Sequence, residues 1–226
     1  MVRKTMKRWD IINLLIQKHG YKRYLEVGQQ KGQCFREINI ENKEGLDPKP
    51  KDTLGVSCKH HMTSDEFFAN HANGKEYDIA FIDGLHIREQ VLKDVDNILK
   101  HLSPNGTIVL HDCRPTEEWH QVTSLDSEER KHRRLCRGPN KNGDWNGDVW
   151  KAFLDLRITR QDLKMYTVDT DCGCGVIQRG KQRLYEDESA SLEEVYQWPY
   201  YKEKYKNILN LISVEEFISK QTRNIK

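Results

Sequence analysis

The stretch Tyr24-Leu25-Glu26-Val27-Gly28-Gln29-Gln30-Lys31-Gly32 constrains the fold of this chain more than any other. Leu25 and Val27 are strand formers, and Gly28 to Gly32 reads as a turn. Cys34, Phe35 and Ile38 then recur at helical spacing. A strand, a glycine turn and a helix in succession open a βαβ unit. In an open α/β sheet, ligands bind at the carboxyl ends of strands, near a switch in strand order. Glycine there lets the backbone approach a ligand with no Cβ in the way. A tight turn with no ligand would carry the same residues, so the motif alone does not name a function.

The motif does exclude two ligand classes. No Gly-Lys-Ser/Thr follows the strand, which argues against a nucleoside triphosphate. The dinucleotide fingerprint fails as well: Gln30 stands where its second glycine belongs, and no third glycine follows Gly32 at the required spacing. What remains is an adenosyl ligand without a pyrophosphate.

With 226 residues the chain is long enough for one α/β domain and a small appendage. Charged residues make up 32% and the net charge is only +2, so bulk electrostatics give no case for nucleic acid. The densest basic run, residues 130–134, reads as a solvated face. Residues 1–8 are basic and 11–16 apolar, which superficially resembles a leader peptide. The apolar run is short, broken by Asn13, and followed by Gln17-Lys18-His19 rather than small residues. It reads as an amphipathic helix ending at Gly20. No segment is long enough to span a bilayer. Six cysteines without a secretion signal point to reduced thiols and a cytoplasmic location.

Along the chain, the pattern predicts helices over residues 6–19, 32–40, 87–102 and 149–157, with Thr63, Ser64 and Asp65 capping one that carries Phe67 and Phe68. Strands are predicted over 23–27, 43–46, 57–62, 77–84, 107–112, 163–168 and 175–177. Pro104-Asn105-Gly106 reads as a turn, and Asp148 as a helix N-cap. Residues 114–147 have no period, and a loop that long is usually functional or mobile. The tail, 192–220, is mostly helical. The fold class is α/β: a Rossmann-like, doubly wound, seven-stranded sheet, mostly parallel, with an antiparallel last strand and helices on both faces. Three parts are expected: an N-terminal helix (1–22), the main domain (23–180, with an acceptor-side loop at 114–147) and a helical extension (181–226).

With these elements in place the chain resembles a class I S-adenosylmethionine-dependent methyltransferase. Glu26 to Gly32 resembles that family's first motif, with Gln30 at its usual middle glycine. Gly45-Leu46-Asp47-Pro48 resembles the acidic tip of its second strand. Phe81-Ile82-Asp83-Gly84-Leu85-His86, Ile108-Val109-Leu110-His111-Asp112 and the segment Trp145 to Lys151 resemble a bacterial and phage subfamily with an Ile-Asp-Gly-x-His signature. The likeness covers roughly residues 23 to 180. It implies that the backbone around Glu26, Gly28 and Gly32 holds the methionine moiety of S-adenosylmethionine. It further implies that Asp47 binds the ribose hydroxyls, that Ser64 and Asp65 sit near the adenine, and that Asp83 belongs to the cofactor site. A turn-forming Asp before Pro, and a plain helix cap at Ser64 and Asp65, are the simpler readings of the same residues.

Transfer to a hydroxyl needs its proton removed, by a general base or by a metal. In one arrangement Asp83, His111 and Asp112 hold Mg²⁺ at neighbouring strand tips, although an imidazole suits softer metals. In the other, His86 or His111 is the base and Asp112 assists. Cys172-Gly173-Cys174, with Cys113 and Cys136, lacks the spacing of a zinc knuckle and reads as packing. Trp145 and Trp150 could stack on an acceptor or anchor the helix that starts at Asp148. The leading expectation is O-methylation of a small-molecule or glycan hydroxyl. The rivals are an N-methyltransferase with the same cofactor pocket and an inactive methyltransferase-like binding domain. Neither nucleic acid nor membrane is expected as a partner, and the amphipathic terminal helices could pair two chains.

Overall fold

Ile79 and Phe81 point to one side of a central strand and Ala80 and Ile82 to the other, and all four are buried. A strand buried on both faces needs a helical layer on each. The computed structural model, which describes residues 6–51, 55, 57–123 and 145–222, has this architecture. Seven strands form one sheet: β1 (Arg23–Val27), β2 (Asn42–Leu46), β3 (Tyr77–Ile82), β4 (Leu102–Leu110), β5 (Leu163–Val168), β6 (Cys174–Arg179) and β7 (Leu211–Ile212). Their order is β2-β1-β3-β4-β6-β5-β7. All neighbours run parallel except at β6, which is antiparallel to both β4 and β5.

One face is covered by α1 (Arg8–His19), α2 (Gln33–Glu37) and the last helix, α7 (Val214–Thr222). They close over Ile11, Leu15, Tyr24, Phe35, Phe81 and Phe217. The other face carries α3 (Ser64–Asn70), α4 (Arg88–Lys100), α5 (Val149–Thr159) and α6 (Trp198–Ile208). Here the core includes Leu25, Phe67, Ile98, Trp150, Phe153 and Tyr201. The chain steps outward from β1 to β2, then returns to place β3 on the other side of β1. That reversal opens a crevice between the tips of β1 and β3, where Gly28 and Asp83 lie.

Several boundaries differ from expectation, each for a local reason. Residues 57–62 form no strand; His60 makes a single bridge to Leu46. The seventh strand is instead Leu211–Ile212, too short for a period-two signal to show. The predicted turn at Pro104-Asn105-Gly106 lies within β4 as a bulge: Leu102 pairs with Tyr77 and Thr107 already with Ile79. The first crossover helix spans only Gln33–Glu37. Asp148 occupies the N-cap position of α5 without capping it; its Oδ1 accepts from the Arg88 backbone N–H at 2.6 Å, tying α5 to α4. The runs 130–134 and Cys136 lie outside the described residues.

The outer strand β2 is fastened by a buried carboxylate. Glu44 accepts from the Tyr77 hydroxyl at 2.5 Å, from His60 at 2.8 Å and from Lys75 at 3.0 Å. Burial alone would raise its pKa, but these donors, with Lys59, outweigh it and bring the value to about 2. A depressed carboxylate stabilises the fold above its unfolded pKa and loses that contribution as pH falls toward the folded value. Glu44→Gln should therefore cost roughly 2 kcal/mol at pH 7, and the gap to wild type should close between pH 4.5 and 2. Urea melts across that range test this; a gap independent of pH would mean packing, not charge, is what Glu44 supplies.

Candidate active site

The reversal in strand order shapes a pocket of about 350 Å³ at the carboxyl end of the sheet. Val27, Gly28 and Gln30 line it from the β1 turn, Leu46, Asp47 and Pro48 from the tip of β2, and Asp83, Gly84 and Leu85 from the tip of β3. Thr63, Ser64 and Asp65 at the start of α3, with Gln90 and Asp94 on α4, form the remaining wall. Asp47 is held in place by the backbone: Oδ2 accepts from Gln30 N–H at 2.8 Å and Oδ1 from Lys49 N–H at 2.7 Å. Each oxygen keeps lone-pair capacity for a ligand. Thr63 caps α3 through a reciprocal box with Glu66, which sets the following Ser64 and Asp65 against the pocket.

Gly28 is required by its neighbour strand. Its φ is +89°, and a Cβ there would lie 2.3 Å from the Asp83 carbonyl oxygen. The turns after β1 and β3 are also joined by Asp83 N–H donating to Val27 C=O at 2.9 Å. Gly28→Ala should thus destabilise the protein by about 3 kcal/mol or more. A urea midpoint within experimental error of wild type would show that this junction is looser than drawn.

Beside the pocket lies a compact group of acids and imidazoles. Among the described residues, Asp83, His86 and Asp112 place one potential metal-ligating atom each within 4.8 Å of one another. His86 Nε2 is 3.3 Å from Asp83 Oδ1, and its Nδ1 is 3.4 Å from Asp112 Oδ2 and 3.1 Å from the Trp145 carbonyl. Burial lowers the His86 pKa, but Asp83 and Asp112 more than compensate and raise it. Asp83, only partly exposed, is held well below the ordinary carboxylate range by His111 and His86.

His111 is buried and touches the same two acids: Nδ1 is 3.3 Å from Asp83 Oδ1 and 3.0 Å from Asp112 Oδ2. On its other edge, Arg8 Nη1 approaches Nε2 at 2.5 Å. Burial lowers its pKa and three surrounding carboxylates raise it further than that. A guanidinium can only donate, however, so the Arg8 contact requires a free lone pair on Nε2. The geometry favours the neutral ring, protonated on Nδ1 toward the carboxylates.

The expected site residues therefore separate into groups. Gly28, Asp47, Ser64, Asp65 and Asp83 line the pocket together. Glu26 and Gly32 do not. Glu26 shares the face of β1 that carries Tyr24, because alternate residues of a strand point the same way. It is buried there, bonded by the Tyr24 hydroxyl, and burial raises its pKa to about 8. Gly32 adopts φ +72° to start α2. His86, His111 and Asp112 join Asp83 in the second group, with His86 where the expected metal set had His111. Trp150 is fully buried, so it anchors α5. Trp145 stacks on His86 with ring centroids 4.9 Å apart. Cys113 and Cys174 are buried free thiols.

Four contributors, Arg8, Asp171, Gln90 and Asp94, carried no local sequence signal, and Asn146 showed only as part of the segment Trp145 to Lys151. Asn146 donates to the Asp112 carbonyl at 3.2 Å and to its Oδ1 at 3.1 Å, holding a residue whose φ is +60°. Asp171 accepts from the Arg8 backbone at 3.0 Å and from Lys7 at 2.9 Å, which docks the start of α1 beside the cluster and brings in Arg8. Gln90 and Asp94 look like ordinary helix residues until α4 is packed against α3. Trp145-Asn146-Gly147 was the visible part, and Gly147 is fixed there by the His86 carbonyl, 2.0 Å from where its Cβ would stand.

Residues 15–113 match the model of a family described as a methyltransferase domain. No curated protein matches the sequence. Among solved structures, a Staphylococcus aureus protein described as a caffeoyl-CoA O-methyltransferase aligns with TM-score 0.54 and 17% identity, over 78% of this chain and 86% of that one. A Klebsiella pneumoniae protein described as an O-methyltransferase aligns with TM-score 0.51 and 13% identity, over 80% and 83%. The O-methyltransferase TomG of Streptomyces achromogenes, involved in tomaymycin synthesis and solved with S-adenosylmethionine, aligns with TM-score 0.50 and 12% identity, over 76% and 79%. Fold and domain match together place this chain among proteins with the class I S-adenosylmethionine-dependent methyltransferase fold.

Proposed function

We propose that this protein is an S-adenosylmethionine-dependent O-methyltransferase acting on a small-molecule or glycan hydroxyl, with a divalent cation assisting. The observation that carries this reading is the adjacency of two built features. A pocket with the Asp47 carboxylate on its wall shares Asp83 with the cluster of Asp112 and His86. The pocket suits an adenosyl group: it offers lone pairs at Asp47 and a second polar wall at Ser64, Asp65, Gln90 and Asp94. The cluster suits a cation. One ligand atom from each of the three residues lies within 4.8 Å of the other two, a span a single divalent cation can bridge. Two carboxylates fit Mg²⁺, and the imidazole widens the choice to Mn²⁺.

S-adenosylmethionine, when bound, supplies a methyl group already activated on sulfur. Asp83, Asp112 and His86 would hold a cation, which would supply a lowered pKa for the acceptor hydroxyl. The chain's own work is positioning and exclusion of water. Asp47 fixes the cofactor end, Asp112 the acceptor end, and Asn146 holds Asp112 in its left-handed conformation. His111 bridges Asp83 and Asp112, while Trp145 covers His86.

The test is transfer of labelled methyl from S-adenosylmethionine to catechol-type and sugar hydroxyls, with and without EDTA. Label is expected on a hydroxyl, with at least ~10-fold loss on chelation and recovery with Mg²⁺ or Mn²⁺. Label appearing only on amine acceptors would replace this reading with N-methylation.

A further inference from the structure

His60 does not line the pocket, yet it is tied to two of the walls that do. Its main chain makes the single bridge to the tip of β2. The His60 N–H donates to the Gly45 carbonyl at 3.2 Å, and the His60 carbonyl accepts from the Asp47 N–H at 3.0 Å. Two contacts place its imidazole. Nε2 is 2.8 Å from Glu44 Oε2 on β2, and the ring packs on Phe67 of α3 with centroids 4.8 Å apart. A carboxylate only accepts, so Nε2 carries the hydrogen. This contact is shielded from water, with the two side chains 11% and 10% exposed.

An isolated bridge holds little by itself, because backbone bonds of this kind replace bonds to water at small net gain. Residues 57–62 form no strand that would reinforce it. From His60 the chain runs through Thr63 into Ser64 and Asp65, the α3 side of the pocket. The side chain of His60 therefore decides how this segment lies against β2. Asp47 depends on the result: Gln30 and Lys49 orient its carboxylate, and His60 anchors its main chain.

We propose that His60 is a positioning residue of the cofactor site: its bond to Glu44 clamps residues 57–62 onto β2 and so fixes Asp47 at the spacing a ligand needs between β2 and α3. The inference rests on the adenosyl reading of the pocket and adds a residue that acts on it from outside. Removing the imidazole donor takes away no group that lines the pocket. It frees the bridge, and with it the main chain of Asp47, to shift.

Isothermal titration with S-adenosylhomocysteine tests this without any methyl acceptor. His60→Phe keeps a ring against Phe67 and removes the donor, while Glu44 keeps Tyr77 and Lys75. Its affinity is expected to fall by about 10-fold. His60→Gln, which returns an N–H to Glu44, should recover to within about threefold of wild type. In an Asp47→Ala background, His60→Phe should change affinity by less than about twofold, because the group it positions is gone. A residue that served only stability would lower the melting temperature and leave the affinity of the folded protein alone. Wild-type affinity in folded His60→Phe overturns the proposal while leaving the adenosyl reading intact. So does a loss that persists undiminished in the Asp47→Ala background, or one that His60→Gln shares in full. Should His60→Phe not fold, Glu44→Gln weakens the same contact from its other end: it should lower affinity by several-fold, and an unmoved value counts against the proposal. If wild type does not bind S-adenosylhomocysteine, the adenosyl reading and this inference fall together.

Discussion

Asp47→Ala is expected to weaken S-adenosylhomocysteine binding by about 100-fold while the protein stays folded. The carboxylate is fixed by two backbone N–H groups, from Gln30 and Lys49, and each oxygen retains capacity for a ribose hydroxyl. Hydrogen bonds to a charged group contribute roughly 1.5–3 kcal/mol each, so losing two removes about 3 kcal/mol or more. Every 1.4 kcal/mol is about tenfold in affinity. Asp47→Asn keeps the size and one acceptor, and should fall between the two. Titration calorimetry reads the effect directly. An alanine variant that binds as wild type does would remove Asp47 from the cofactor site and leave it as a turn residue before Pro48.

Asp112 gives the second large effect, on a different quantity. Asp112→Asn should reduce methyl transfer by about 1,000-fold or more, with cofactor affinity changed less than threefold. Asparagine is the informative substitution because Asp112 has φ +60°, a conformation asparagine tolerates and alanine resists. The variant keeps the backbone and the contact with Asn146, and loses the charge that faces His86 and His111. Asp112→Ala removes the charge as well and adds backbone strain, so its transfer loss should come with a lowered melting temperature. Equal loss of binding and transfer in the asparagine variant would falsify the assignment of Asp112 to the acceptor side.

Much of the fold is legible in the sequence. Buried parallel strands announce themselves as apolar runs, and β3 and β4 did so with Ile79 to Ile82 and Ile108 to Leu110. The helix α4 was visible in Val91, Val95, Ile98 and Leu99 at three- and four-residue spacing, and all four are buried. Polar residues just past such runs mark strand tips, which is how Asp47, Asp83, His86 and Asp112 were found. The edges of the sheet were harder. Residues 57–62 looked like a strand and form one bridge, while Leu211–Ile212 pairs with β5 and carries no pattern at all. An edge strand is held by one neighbour, so its own sequence is under weaker demand.

Local patterns are enough to specify a doubly wound sheet and the acidic and imidazole groups at its carboxyl end, because periodicity and turn chemistry act over a few residues at a time. Tertiary structure alone decided which of those groups face one another. The parity of β1 set the Glu26 side chain beside Tyr24. The packing of α4 on α3 delivered Asp94 and Gln90 into it. The docking of α1 on Asp171 carried Arg8 to His111, and the close approach of Gly147 to His86 brought Asn146 to Asp112. These meetings join residues 25 to more than 160 positions apart in the chain, and no local pattern records a partner that far away.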